Sequence, residues 1–354
     1  MACAGSRAYG CQPEWLTKVV EKLDERNLRR GRIVTLNITL LTPFAIYQSA
    51  DFRLTDPLAG SLVRDESAKT VVLQYMSWSG FVTYTGLGSC NRTNISDFIA
   101  EWLEGTHGFS MAEVAARIED KGTHLLNRVR KPNGSRFEHT FTLAGFEDGF
   151  VRAFVISNFE DAYGRMRSTV DSKLTTIPRK LDATSRAEVI VTGKAPAVSY
   201  NDRRDLCKIA TTVAEDGGLI RRRMQKMNAV ASAKPESDGA VSQDCAVFSF
   251  RCDGSGKVQM SEGLGPKKFP VVMNGVNMAK FMTGVGIDLS NAQVDSMSFA
   301  STAAPGPVNL LRSTCRFTIA RTEPSGGYEI QEIAHPDFET RTANDINEVG
   351  HVVG

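Results

Sequence analysis

The stretch TLNITLLTPFAIYQSADFR, residues 35–53, decides how this chain is read. It holds two apolar segments hinged at Thr42-Pro43, a pattern that predicts a buried β-hairpin. The second segment then runs straight into Asp51 and Arg53, and a lone Thr35 heads the first. A buried hairpin gains no packing by ending in a carboxylate and a guanidinium, because burying either without a partner costs free energy. That ending asks for chemistry, or for a fold that once carried it.

Segments on both sides fit a layered domain. PEWLTKVVEKLDERNLRR (13–30) puts Trp15, Leu16, Val19, Val20 and Leu23 on one stripe, predicting an amphipathic helix stopped near Gly31. That stripe is expected to dock on the body of the protein or on a neighbouring subunit. KTVVLQY (69–75) and GFVTYTGLGS (80–89) read as strands, the second closing in a glycine turn. Two helices are predicted next: NISDFIAEWL (94–103), with Ser96 as N-cap, and SMAEVAARIEDKGTHLLNRV (110–129), with Ser110 and Glu113 at capping-box spacing. HTFTLAGFEDGFVRAFVISNF (139–159) is a hairpin turning at Glu147-Asp148-Gly149.

AEVIVTG (187–193) reads as a further strand. NDRRDLCKIATTVAED (201–216) is a helix ending at Gly217-Gly218, and a second, basic helix runs on toward Ala233. CAVFSF and KVQMSE form another hairpin around Asp253-Gly254. From 255 onward Gly, Pro, Ser and Met accumulate, with a last hairpin of CRFTIAR (315–321) and YEIQEIAH (328–335) either side of TEPSGG. Strand pairs and helix pairs are segregated, which favours an α+β sheet stack over a doubly wound parallel sheet.

Composition removes several function classes. The 354 residues suffice for one large or two modest domains, and 42 % hydrophobic content covers a substantial core. A net charge of +2 gives no pull toward nucleic acid or an anionic membrane, so neither is expected as a partner. The seven cysteines are scattered without a CxxC pair, and the five histidines are far apart without an HxxxH pair. Neither a disulfide framework nor a metal site is therefore expected. There is no apolar run of about 18 residues and no signal-peptide core at the N-terminus, so a soluble, cytoplasmic protein is expected.

Three local motifs fail their own tests. DGSGK (253–257) lacks the Walker spacing, and Val258 stands where Ser or Thr is required. RRRMQK (221–226) has no interleaved aromatics and reads as a solvated helix face. Cys90 has no His near it in sequence.

Thr35, Asp51, Arg53, Lys69 and the glycine turn at Gly86 together resemble the proteasome family of N-terminal-nucleophile hydrolases. Catalytic subunits of that family head the first strand with Thr, end the second with Asp and Arg, and open the third with Lys. The resemblance covers about 35–250. It implies a four-layer αββα sandwich, two antiparallel sheets between helix layers. In these terms the chain divides into an N-terminal helix or propeptide (1–34), a core domain (35–254) and a C-terminal extension (255–354).

The resemblance also implies a mechanism. Thr35 becomes the N-terminus once residues 1–34 are removed, and its own α-amine serves as the base that its hydroxyl needs. Lys69 lowers the cost of charge on the threonine oxygen, Asp51 orients Lys69, and the Gly86 N–H holds the oxyanion. Arg53 holds the Asp51 loop, and Asp238 and Ser242 are approximate counterparts of the family's supporting Asp and Ser. No cofactor is implied. The implied substrate is a peptide or small amide, and the implied assembly a homo-oligomer or ring.

Two positions depart from the pattern. Val34 replaces the glycine that usually precedes the threonine, and Lys194 in TGKAP stands where a serine assists the amine. With the LRRGR step after the first helix, they resemble the non-catalytic subunits. A structural or gating component of an assembly is therefore the alternative to a threonine peptidase or amidase.

Overall fold

The computed structural model describes residues 35–284, except 56–61, 65, 91–92, 132–133, 182–186, 213–216, 253–255, 261–265 and 267–268, together with strand segments within 297–353. The helix predicted over 13–30, with its docking stripe, lies outside the described residues. The fold class is α+β. Fifteen strands build two large sheets, and five α-helices are present among the described residues.

The strands are β1 Leu36–Leu41, β2 Ala45–Asp51, β3 Thr70–Gln74, β4 Trp78–Gly86, β5 His139–Glu147, β6 Phe150–Ser157, β7 Thr175–Lys180 and β8 Glu188–Gly193. They continue with β9 Cys245–Arg251, β10 Gly256–Met260, β11 Val271–Met273, β12 Val276–Asn277, β13 Met297–Ser301, β14 Cys315–Thr322 and β15 Tyr328–His335. One sheet runs β8-β1-β2-β9-β10-β13-β14-β15, the other β7-β6-β5-β4-β3-β11-β12. Helices α1 (Ile95–Trp102) and α2 (Met111–Arg128) lie between β4 and β5 in the chain. α3 (Tyr200–Thr212) and α4 (Gly217–Ser232) lie between β8 and β9, and α5 (Met278–Gly284) follows β12.

Local chemistry explains the turns. At the β1–β2 hinge the Thr42 hydroxyl accepts the Ala45 N–H at 2.9 Å and donates to the Ala45 carbonyl at 2.6 Å, closing the loop around Pro43. The β5–β6 turn places Asp148 at φ 52° and Gly149 at φ 79°, the left-handed pair that a two-residue hairpin of matching twist requires. Helix α2 opens with the expected reciprocal capping box between Ser110 and Glu113. Helix α1 differs from expectation. Asn94, extended at φ −69° and ψ 150°, is its N-cap, and Ser96 is buried as the second helical residue. Gly217 opens α4 rather than closing α3.

Alternation of side chains across each strand sorts the core into separate clusters. Leu36, Ile38, Leu40 and Tyr47 of the first sheet pack with Leu206, Ile220, Met224 and Met227 of α3 and α4. Val71, Val82, Phe141 and Ile156 of the second sheet pack with Ile99, Val114 and Ile118 of α1 and α2. Between the sheets, Phe81 meets Phe248 and Phe250, and Ile46 and Ile190 meet Ala144 and Val155.

One expectation about the sheets is corrected. The second sheet is mixed rather than antiparallel, because β11 pairs parallel to β3, with Val271 opposite Val72 and Met273 opposite Gln74. β11 comes about two hundred residues after β3, so no tight turn joins the two and a parallel pairing is open to them. Residue 254, where composition changes, falls between β9 and β10, which are paired from Ala246–Met260 to Phe250–Gly256.

Phe81 is the wedge between the sheets, fully buried and with ring centroids 4.6 Å from Phe250 and 5.3 Å from Phe248. Phe81→Ala is expected to cost about 3–5 kcal/mol, read from the midpoint of chemical denaturation.

Candidate functional site

The register of the strands gathers one set of termini. Leu36 faces Gly193, Asn37 faces Ala50, and Asp51 faces Cys245, so the start of β1 and β9 and the end of β2 and β8 lie together. In the second sheet Gly86 faces His139 and Thr140 faces Ser157. Lys69, immediately before β3, connects the two sets. Its ammonium donates to Thr35 Oγ1 at 2.7 Å and to both oxygens of Asp51 at 3.2 Å.

All three side chains are buried, with Thr35 4 % exposed, Lys69 1 % and Asp51 0 %. A buried ion pair persists only where further hydrogen bonds satisfy its remaining atoms. Asp51 has them. Its Oδ1 accepts the Leu36 N–H and its Oδ2 accepts the N–H groups of Arg53 and Ser242, each at 3.1 Å. The backbone near Lys69 is held in turn, with the Ser67 N–H donating to the Phe52 carbonyl at 3.0 Å.

The supporting residues divide. The Arg53 guanidinium donates to the Gly239 carbonyl at 2.7 Å, which ties the 235–242 loop to the end of β2. Ser242 contributes its backbone N–H to Asp51, while its hydroxyl donates to the Asp244 carbonyl. Asp238 is placed differently from that serine. It is exposed, at φ 49°, capping a short 3-10 turn, apart from the buried trio. Lys194 meets Thr35 through its backbone, its N–H donating to the Thr35 carbonyl at 3.0 Å.

Two glycines with positive φ, Gly193 and Gly86, end β8 and β4. Gly193, at φ 80°, has no room for a Cβ, which would collide with the Thr35 carbonyl oxygen. The side chain of Thr85 lies on the other side of that space, so the β4 end that carries Gly86 borders the same site. Gly86, at φ 103°, is equally closed to a Cβ by the Glu138 carbonyl.

Two buried titratable groups adjoin these glycines, and sequence reasoning missed both. Glu160 Oε1 accepts the Gly193 N–H at 2.8 Å, and its Oε2 lies 2.5 Å from the Thr140 hydroxyl. Burial pushes its pKa up to about 8. His139 Nδ1 accepts the Leu87 N–H at 3.1 Å, and burial pushes this imidazole down to about 3. His139 is therefore neutral at pH 7, with its proton on Nε2. Nothing in NFEDAYG marks Glu160 as buried, since its partners come from β5 and β8.

Removing Asp51 would leave the Lys69 charge buried and unpaired. Asp51→Ala is expected to cost about 3–5 kcal/mol in urea or thermal denaturation. Glu160 makes a second expectation. In the unfolded chain it loses its proton near 4.5, in the folded protein near 8, so between these values only the native state binds it. Stability should fall as pH rises through that window, level off above it, and lose that slope in Glu160→Gln, measured by denaturation across pH.

No family model matches this chain, and no curated protein matches it. A solved structure similar to it is Anbu (ancestral beta-subunit) from Yersinia bercovieri, with a TM-score of 0.41 and 14 % identity, covering 61 % of this chain and 81 % of that one.

Proposed function

We propose that this protein is a threonine hydrolase of amide or peptide bonds, built on a four-layer, proteasome-like N-terminal-nucleophile fold. The observation that carries the reading is the 2.7 Å hydrogen bond from the Lys69 ammonium to Thr35 Oγ1, with Asp51 fixing that ammonium from behind. A structural ion pair has no need of a strand-leading hydroxyl at its apex. The separate hydrophobic clusters outside and between the two sheets support the layered arrangement.

In this reading residues 1–34 are removed and the Thr35 α-amine becomes the base. The amine takes the hydroxyl proton as Oγ1 bonds to the substrate carbonyl carbon. The Lys69 ammonium lowers the energy of charge developing on Oγ1. The Gly86 N–H stabilises the carbonyl oxygen as it becomes an oxyanion, an effect worth a few kcal/mol. The C–N bond then breaks, the leaving amine takes the proton from the Thr35 amine, and water hydrolyses the ester that remains. Asp51 orients Lys69, and Arg53 and the Ser242 backbone hold Asp51.

A second reading is a non-catalytic subunit that builds or gates a homo-oligomer or ring through its N-terminal segment and residues 255–354. Val34 before Thr35 and Lys194 in place of a serine favour it.

Intact mass of the purified protein, beside Thr35→Ala, separates the two. The expected result is loss of residues 1–34 in the wild type and full length in the variant, with amide hydrolysis confined to the processed form. Full-length mass in both would leave Thr35 without its amine and pass the lead to the assembly subunit.

A further inference from the structure

The two glycine turns, at Gly86 and Gly193, belong to one buried hydrogen-bond chain. It starts where the Leu87 N–H donates to His139 Nδ1 at 3.1 Å. The His139 carbonyl accepts from the Ser157 hydroxyl at 3.3 Å, and Ser157 Oγ lies 2.7 Å from Thr140 Oγ1. Thr140 Oγ1 is 2.5 Å from Glu160 Oε2, and Glu160 Oε1 receives the Gly193 N–H at 2.8 Å. One residue on, the Lys194 N–H holds the Thr35 carbonyl at 3.0 Å. His139, Thr140, Ser157 and Glu160 are each no more than 1 % exposed.

We propose that His139 and Glu160 are positioning residues of the Thr35 site, coupled through Ser157 and Thr140 so that the Gly86–Leu87 and Gly193–Lys194 turns are held in one fixed relation. The inference rests on the hydrolase reading for its consequence, since those turns carry the oxyanion donor and the clamp on the nucleophile's backbone. Its physical basis is independent of that reading. A glycine turn is the most permissive backbone in a fold, and an N–H anchored to a buried acceptor removes that freedom.

The protonation states agree with the geometry. With His139 pushed down to about 3 and Glu160 up to about 8, both are neutral at pH 7. A neutral Glu160 donates to Thr140, Thr140 to Ser157, and Ser157 to the His139 carbonyl, so every hydroxyl has an acceptor and no charge is buried. A neutral amide should replace the acid without loss, because a Gln oxygen accepts the Gly193 N–H and its NH2 donates to Thr140.

The test uses Thr140→Val, which keeps the shape and removes the link, and Glu160→Gln, which keeps it. Amide hydrogen exchange is read at Leu87 and Gly193, with Val82 in β4 and Val191 in β8 as strand references. Turnover is followed by Thr35-dependent hydrolysis of a peptide amide. Thr140→Val should speed exchange at both turn amides about tenfold and lower kcat by a similar factor with little change in KM. Glu160→Gln should stay within about twofold of wild type in both readouts. If Thr140→Val does not fold, Ser157→Ala breaks the same link and is read the same way. Unchanged exchange at both amides, or a change at Gly193 alone, would overturn the coupling, as would a Glu160→Gln that loses turnover. Exchange as expected in a protein that hydrolyses no amide would reject the hydrolase reading and leave the network standing.

Discussion

The Lys69–Asp51 ion pair is the joint on which the rest of this structure depends. Asp51 ends the second strand of one sheet and Lys69 leads into the third strand, which lies in the other. Each charge is fully buried, so each is tolerable only because of its partner. The three backbone N–H groups on Asp51 come from the start of β1, from the residue after Phe52 and from the loop before β9. One carboxylate thus ties the end of its own strand to two other chain segments. The ammonium it orients reaches Thr35 Oγ1, so the threonine's placement follows from how the sheets are joined.

This joint limits how the flanking backbone can run. Thr35 has Lys69 on its hydroxyl and the Gly193–Lys194 turn on its carbonyl. Only a glycine lets the second contact form, because any Cβ at 193 would occupy the space of the Thr35 oxygen. Close approach brings freedom with it, and a buried acceptor, Glu160, removes that freedom at the next bond. The cost of burying an acid is lowered by keeping it neutral, which is the direction in which burial pushes Glu160.

What could be read from the sequence was whatever depends on neighbours along the chain. Alternation and the Thr42-Pro43 hinge disclosed the first hairpin, Asp148-Gly149 the second, and Ser110 with Glu113 the start of α2. Thr35 and Asp51 were legible as neighbours because a hairpin fixes its own register, whereas Lys69 leads into the other sheet and was named only by the resemblance to the proteasome family. Contacts assembled across the fold were not legible. Glu160 depends on Thr140 and Gly193, His139 on Leu87, and β11 on a parallel partner about two hundred residues earlier. Asp238 and Ser242, read from spacing as a pair, stand in different surroundings. An acid at roughly the right spacing sits on an exposed turn, while the neighbouring Ser242 reaches Asp51 by a backbone group that any residue could supply. Ser96 was misplaced as a cap because Asn94 already takes the extended conformation that a cap needs.

The space between the sheets shows how stability and chemistry are divided. At the hairpin-turn end, rings and aliphatic side chains such as Phe81, Phe250, Ile46 and Phe146 fill it. Toward Thr35 the same inward-facing positions become Asn37, Thr39, Thr83, Thr85, Thr140 and Thr142. Gln48 marks the change, donating to Thr39 Oγ1 at 3.2 Å and to the Thr142 carbonyl at 3.0 Å. The side chains of Asn37, Thr83 and Thr85 have no hydrogen-bond partner within the protein among the described residues. Each such group is a cost to folding that valine or leucine would avoid. A seam selected for stability alone would be apolar along its whole length. Its polar half instead lies toward the Thr35 end, where an apolar lining would raise the penalty for the buried Lys69 and Asp51 charges. The aromatic half then has to supply the adhesion between the sheets, and its distance from Thr35 lets it do so without changing the surroundings of the ion pair.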